Sequence, residues 1–142
     1  PMITVFTNGV FDLLGYHHIR ILEHASRLGD RLIVGINSDR STRLLKGEGR
    51  PICDQLDRWS MIQSLRCVHT ALVFDEPTPI SLIREIRPDI LVKGGDYRPE
   101  DMVGREFVES YGGKVVILPL IEGYSTTSLI ERIRGAAHAH TT

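Results

Sequence analysis

Ile3-Thr4-Val5-Phe6-Thr7-Asn8-Gly9-Val10-Phe11-Asp12-Leu13-Leu14-Gly15-Tyr16-His17-His18 is the stretch on which the fold of this chain turns. The apolar, β-branched run Ile3–Phe6 predicts a strand. Helical spacing from Ile19 to Leu28, with Ile19, Leu22, His24 or Ala25, and Leu28 on one face, predicts a helix. A glycine-containing turn joins the two. The first N–H groups of a helix lack intrahelical partners, and the helix dipole favours negative charge there, so strand, turn and helix N-terminus make an anion site. Two imidazoles at that point suit a polyphosphate whose charge is stabilised during reaction, because histidine titrates near neutrality and an adjacent anion favours its protonated form.

Outward from this unit the same alternation recurs. Further strands are expected at Leu32–Ile36, Ala71–Phe74, Ile90–Val92 and Val115–Leu118. Between them, helical faces are marked by Leu56, Trp59, Met61 or Ile62 and Leu65, then by Ile80, Ile83 and Ile86, then by Phe107 and Val108. Pro88 ends the third helix and Gly112-Gly113 the fourth. A last helix begins at the hydroxyl run Ser125-Thr126-Thr127 and carries Leu129, Ile130 and Ile133. The expectation is an α/β fold: a single Rossmann-like domain over residues 2–134, with a five-stranded, mostly parallel sheet and helices on both faces. From Gly135 to Thr142 no periodicity remains, and a disordered C-terminal tail is expected, which leaves His138 and His140 poor ligand candidates. Pro1 ahead of Met2 is set aside as a cloning remnant.

The chain has 142 residues, 42% of them hydrophobic, enough for one domain with a real core. Lys plus Arg (17) nearly balance Asp plus Glu (18), so no global field recruits nucleic acid or an anionic membrane. No apolar run approaches the ~20 residues that span a bilayer, and nothing reads as a secretory signal. Cys53 and Cys67 are too few for a disulfide framework and lack metal-ligand spacing. A cytoplasmic protein with reduced thiols and no metal ligands of its own is expected. Walker, nucleophile-elbow and zincin motifs are absent from the sequence.

Ligands of parallel sheets bind outside the carboxyl ends of the strands. That rule selects the loops Asn8–His18, Asn37-Ser38-Asp39, Lys93–Tyr97 and Glu122–Thr127. His18, at the head of the first helix, is the leading catalytic candidate. His17, one residue earlier, projects about 100° away around a helix axis, so the two rings are not expected to point the same way. Lys46, in Leu44-Leu45-Lys46-Gly47-Glu48-Gly49-Arg50-Pro51, belongs to a cationic glycine-containing loop able to close over phosphates, with Arg50 beside it. In Lys93-Gly94-Gly95-Asp96-Tyr97 the glycines permit close approach of backbone to a base or sugar, and Asp96 can accept from sugar hydroxyls. Tyr124, Ser125, Thr126 and Thr127 open the last helix as a second anion cradle. Asp12 and Asp39 are candidates for placing substrate or metal; each is equally readable as a solvated loop aspartate.

Gly9-Val10-Phe11-Asp12-Leu13-Leu14 followed by a His-rich turn resembles the signature of the cytidylyltransferase-like nucleotidyltransferases, which ends His-x-Gly-His. Here the turn reads Gly15-Tyr16-His17-His18, as though the first His and the Gly had changed places. Val5–Leu14, Arg31–Asp39, Leu45–Ile52, Pro88–Tyr97 and Leu118–Arg134 are similar to the adenylyltransferases that make ADP-heptose. Leu-Val-Lys-Gly-Gly-Asp-Tyr and Leu-Pro-Leu-Ile-Glu-Gly-Tyr-Ser-Thr-Thr carry the most specific likeness. The resemblance implies transfer of AMP from ATP to D-glycero-β-D-manno-heptose 1-phosphate by in-line attack on the α-phosphorus, releasing pyrophosphate. It implies Mg²⁺ bound mainly through the ATP phosphates, and a homo-oligomer. It gives His18 the transition state and Lys46 the β- and γ-phosphates. Asn8, Gly9, Phe11 (through its backbone N–H), Lys93, Gly94, Asp96 and Tyr124–Thr127 fall to nucleotide. Two readings of the altered turn stay open, that His17 substitutes for the displaced imidazole or that the site is impaired. The alternatives are a sister cytidylyltransferase for another phosphorylated alcohol and a nucleotide-binding protein with impaired catalysis.

Overall fold

The computed structural model describes residues 1–95, 97–119 and 123–141, the last four of these by backbone only. Eleven strands and α-helices follow in the order β1 (Thr4–Gly9), α1 (Tyr16–Ser26), β2 (Arg31–Asn37), α2 (Asp39–Lys46), α3 (Gln55–Gln63), β3 (Thr70–Phe74), α4 (Ile80–Ile86), β4 (Ile90–Gly94), α5 (Arg105–Ser110), β5 (Lys114–Leu118) and α6 (Thr126–Thr141). The sheet has the order β3-β2-β1-β4-β5, and all its pairings are parallel. The chain thus winds outward from β1 to β3, crosses back, and winds the other way through β4 and β5. This is the Rossmann-like arrangement, with its switch point between β1 and β4.

Alternation along the strands divides the core. Val5, Leu32, Val34, Ile36 and Val92 pack with Leu22 and Ala25 of α1 and Ile62 of α3 on one face. Phe6, Ile33 and Leu91 pack with Ile83 of α4, Met102 and Val108 of α5 on the other. Neighbouring residues of a strand, such as Val5 and Phe6, therefore serve opposite layers.

Helix ends follow local chemistry. Ser38 Oγ accepts from Ser41 N (3.1 Å) and Asp54 Oδ1 from Asp57 N (2.9 Å), capping α2 and α3. Arg87 closes α4 in the left-handed conformation (φ 51°) ahead of Pro88.

Three expectations are corrected. β1 runs through Asn8 to Gly9, so these residues end the strand instead of forming the turn. Asp39–Lys46 is a helix, which makes Lys46 the final residue of α2 and Gly47 its cap (φ 90°). Helix α6 continues past Gly135 to Thr141 where an aperiodic tail was expected. Alanines at 136, 137 and 139 are strong helix formers and carry the backbone through a single glycine. Among the described residues no helix is long and apolar enough to cross a membrane.

Candidate active site

β1 and β4 pair only at Val5↔Ile90 and Phe6↔Leu91. Beyond that point they part, and the Thr7 hydroxyl donates to the Val92 carbonyl (2.9 Å) across the widening gap. The parting opens a cleft of about 500 Å³ at the carboxyl edge of the sheet. Asn8, Gly9, Phe11, Asp12, His17, His18, Lys46, Arg50, Lys93, Gly94 and Tyr124–Thr127 all line it. Asp39 does not; its carboxylate takes the buried Arg58 guanidinium (2.9 Å). Asp96, like Glu122, lies outside the described residues.

His17 and His18 occupy the first turn of α1. Gly15 caps that turn and donates its N–H to His18 Nδ1 (3.0 Å), so the neutral His18 ring carries its proton on Nε2. Phe11 meets His18 edge-on, with ring centroids 5.6 Å apart. The expected divergence of the two imidazoles is overturned: their centroids are 3.8 Å apart with planes inclined by 38°. Backbone azimuth differs by about 100°, but side-chain torsions bring the rings together. Burial, then the neighbouring His17, push His18 down to about 4 against an opposing pull from Asp12; burial likewise lowers His17. Both rings are therefore neutral at pH 7 when no anion is bound.

The cleft's cations are set around this pair. Lys93 Nζ donates to the Asn8 carbonyl (3.4 Å) and lies 5.4 Å from the Tyr97 ring centroid. Burial and the nearby Lys46 ammonium lower its pKa, a mark of two cations sharing one small volume. A polyphosphate between them would offset that repulsion. At the opposite wall, Ser125 Oγ accepts from Ser128 N (3.0 Å) as the cap of α6. Thr126 Oγ1 donates to the Asp12 carbonyl (3.0 Å), and Tyr124 lies 5.5 Å from Tyr16, centroid to centroid. Of the three hydroxyls, two therefore hold the wall in place.

Asp12, besides lining the cleft, clips two loops together. It is 1% exposed, and its oxygens accept from Arg50 Nε (3.1 Å), Ile52 N (2.7 Å) and Cys53 N (2.9 Å). Burial raises its pKa, but these amides and the Arg50 guanidinium outweigh that and leave it below the ordinary carboxylate value. Its neighbours Phe11 (φ 54°) and Leu13 (φ 51°) are left-handed, a conformation costing about 1–3 kcal/mol per non-glycine residue, and the clip offsets that strain. Gly94 is also reread. A Cβ there would lie 2.5 Å from Ile21 Cδ1, so the glycine admits α1 against β4 in addition to any ligand.

Sequence reasoning missed Arg58, Pro77 and Pro79. The prolines line the cleft from the segment after β3, which the strand-end rule would have selected had it been applied to that strand. Among the described residues no group of three or more His, Cys, Asp or Glu is arranged to hold a metal ion.

Fold and cleft together define a Rossmann-like protein with a polyphosphate-sized, cation-lined crevice at its switch point. Residues 6–132 match the cytidylyltransferase-like family, and the chain belongs to it. It is 54% identical to the bifunctional protein HldE of Syntrophotalea carbinolica over 129 residues, and 51% identical to that of Geobacter sulfurreducens over the same length. These matches cover 91% of this chain and 26% of each relative, so the chain spans about a quarter of their length. A solved lipopolysaccharide core biosynthesis protein from Thermoplasma volcanium superposes with a TM-score of 0.68 at 31% identity, covering 88% of this chain and 100% of that one.

Proposed function

We propose that this chain transfers AMP from Mg·ATP to D-glycero-β-D-manno-heptose 1-phosphate, giving ADP-heptose and pyrophosphate. The observation that carries the reading is the convergence of His18, Lys46, Lys93 and the start of α6 on one cleft at the switch point. The likeness to the HldE proteins supports the acceptor. In the reaction a phosphate oxygen of the sugar phosphate bonds to the α-phosphorus, and the bond from that phosphorus to the bridging oxygen breaks. The electron pair leaves with pyrophosphate. The chain's part is to position the reactants and neutralise developing charge. His18 contacts the transferred phosphate, Lys46 and Lys93 hold the leaving phosphates, and Mg²⁺ enters with the nucleotide substrate. The resemblance further supports a homo-oligomer, read by light scattering.

The test is pyrophosphate release with Mg²⁺, ATP and the heptose 1-phosphate, with CTP in a parallel arm and His18→Ala as control. Loss of one transition-state donor lowers turnover about 10²–10³-fold. Release that depends on ATP and falls by that factor in the control supports the reading. Release with CTP alone favours the sister transferase. ATP binding with no release points to a nucleotide-binding protein.

A further inference from the structure

We propose that His17 is a second substrate-contacting imidazole of this cleft, held there because Gly15 leaves open the space beside its ring. The inference rests on the nucleotidyl-transfer reading for its kinetic consequence, and on geometry for its placement. A Cβ built on Gly15 would lie 3.2 Å from His17 Nδ1 and 3.3 Å from His17 Cε1. Contacts that close ask the ring to shift by a few tenths of an ångström. Gly15 has φ −134° and ψ 179°, extended backbone open to any residue, so conformation does not demand glycine there. What the missing Cβ leaves is room for the His17 ring in its present position.

A histidine that served only as a solvated helix residue would point its ring outward. His17 instead folds back over the cap, stacks on His18 and lines the cleft. Gly15 also fixes His18, by the N–H donated to Nδ1 and by its carbonyl, which accepts from His18 N (3.1 Å) and Ile19 N (3.2 Å). Residue 15 therefore bears on both rings, on His18 through backbone that any residue but proline would supply and on His17 through its missing Cβ. Stacked imidazoles carry one proton more readily than two, and an anion spanning them removes the repulsion between them. The α- and β-phosphates of a nucleoside triphosphate supply such an anion at a helix N-terminus.

The experiment is a double-mutant cycle on pyrophosphate release using the full chain: parent, Gly15→Ala, His17→Ala and the double variant, with thermal melts on each. His17→Gln is added as a variant that keeps volume and a donor. His17→Ala is expected to lower kcat about 10²–10³-fold while KM for ATP moves far less. His17→Gln should fall between it and the parent. Gly15→Ala, which displaces the ring without removing it, should lower kcat on the order of 10-fold in the parent and not at all in the His17→Ala background. A His17→Ala variant within about twofold of the parent overturns the proposal, as do equal Gly15→Ala losses in both backgrounds. If the parent releases no pyrophosphate, the transferase reading fails by itself. His17 is then tested by the imidazole NMR signals on adding Mg·ATP: a shifted His17 resonance supports contact, and an unmoved one overturns it.

Discussion

Arg58 should be the residue whose loss damages both stability and site. It is 1% exposed, and its guanidinium reaches three segments that frame the cleft. Nε donates to the Cys53 carbonyl (2.9 Å), Nη1 to those of Val10 (2.9 Å) and Asn37 (2.7 Å), and Nη2 to Asp39 Oδ1 (2.9 Å). Arg58→Met keeps much of the apolar stem and removes every donor. Hydrogen bonds to a charged group contribute about 1.5–3 kcal/mol each but do not add, and removing one partner of a buried pair costs about 3–5 kcal/mol. Asp39 is 28% exposed and can rehydrate, so most of the cost falls on the carbonyls and a loss of about 3–5 kcal/mol is expected. At roughly 2–4 °C per kcal/mol, Tm should fall by about 6–20 °C. Against a mid-range total of about 10 kcal/mol, about 5–7 kcal/mol remains and the variant stays folded at room temperature. Because Val10 and Asn37 line the cleft, KM for ATP should also rise. Arg58→Lys should recover only part of the loss, since one ammonium cannot serve acceptors arranged around a planar fork. Urea unfolding reads the result. A change under about 1 kcal/mol with an unchanged m-value would refute the view of Arg58 as the tie between these loops.

Asp12→Asn should cost about 2–3 kcal/mol in urea unfolding, because three donors lose a charged acceptor. Asp12 is held below its ordinary value, so its contribution is present above the unfolded value of about 3.9 and is lost as pH falls through the lower folded one; the variant should flatten stability against pH below about 4. For His18 the folded value of about 4 lies under the ordinary 6.5, so the unfolded chain binds the proton first. Stability of the free protein should drop as pH falls from 6.5 toward 4, and His18→Gln should remove part of that drop. Asp12, His17, Lys46, Arg50 and Lys93 all border the same cleft, and a polyphosphate there should draw a proton onto the imidazole pair. Calorimetry of Mg·ATP binding in buffers of different ionisation enthalpy measures that uptake, and no uptake between pH 5 and 7 contradicts it. Gly15→His combined with His17→Gly should keep turnover within about tenfold of the parent, since a Cβ at 15 lies 3.2 Å from His17 Nδ1 and a side chain grown from it heads toward the space that ring would vacate. Collapse of turnover in a folded double variant refutes that equivalence.

The sheet was legible because each strand is a β-branched run bounded by helix or turn signals. Leu32–Ile36 and Val115–Leu118, for example, differ from the observed β2 and β5 by a residue or so at an end. Helix α2 was not legible because its buried positions are Ser41 and Thr42, not apolar residues. Their hydroxyls bond back to the Ser38 carbonyl at 3.4 and 2.7 Å, so hydropathy shows no face where packing has one. The cleft's outline was legible from the strand-end rule. The roles of its carboxylates were not. A loop aspartate looks the same whether it faces a ligand or, as Asp12 does, two amides that lie 40 and 41 residues further along the chain. Arg58 hid for the converse reason, as a charged residue in a helix whose buried face is marked in the sequence by its apolar residues.

Read separately, Gly15 and His17 are each a defect, a glycine without an imidazole and a ring where backbone should come close. Together they share one space: the volume a Cβ would need at 15 is bounded by the ring of 17, while the backbone of 15 fixes the ring of 18. A helix N-terminus permits this because its first turn has free N–H groups and no preceding turn to crowd a side chain that folds back. Kinetic coupling between positions 15 and 17, more than either single loss, therefore distinguishes a rearranged site from an impaired one.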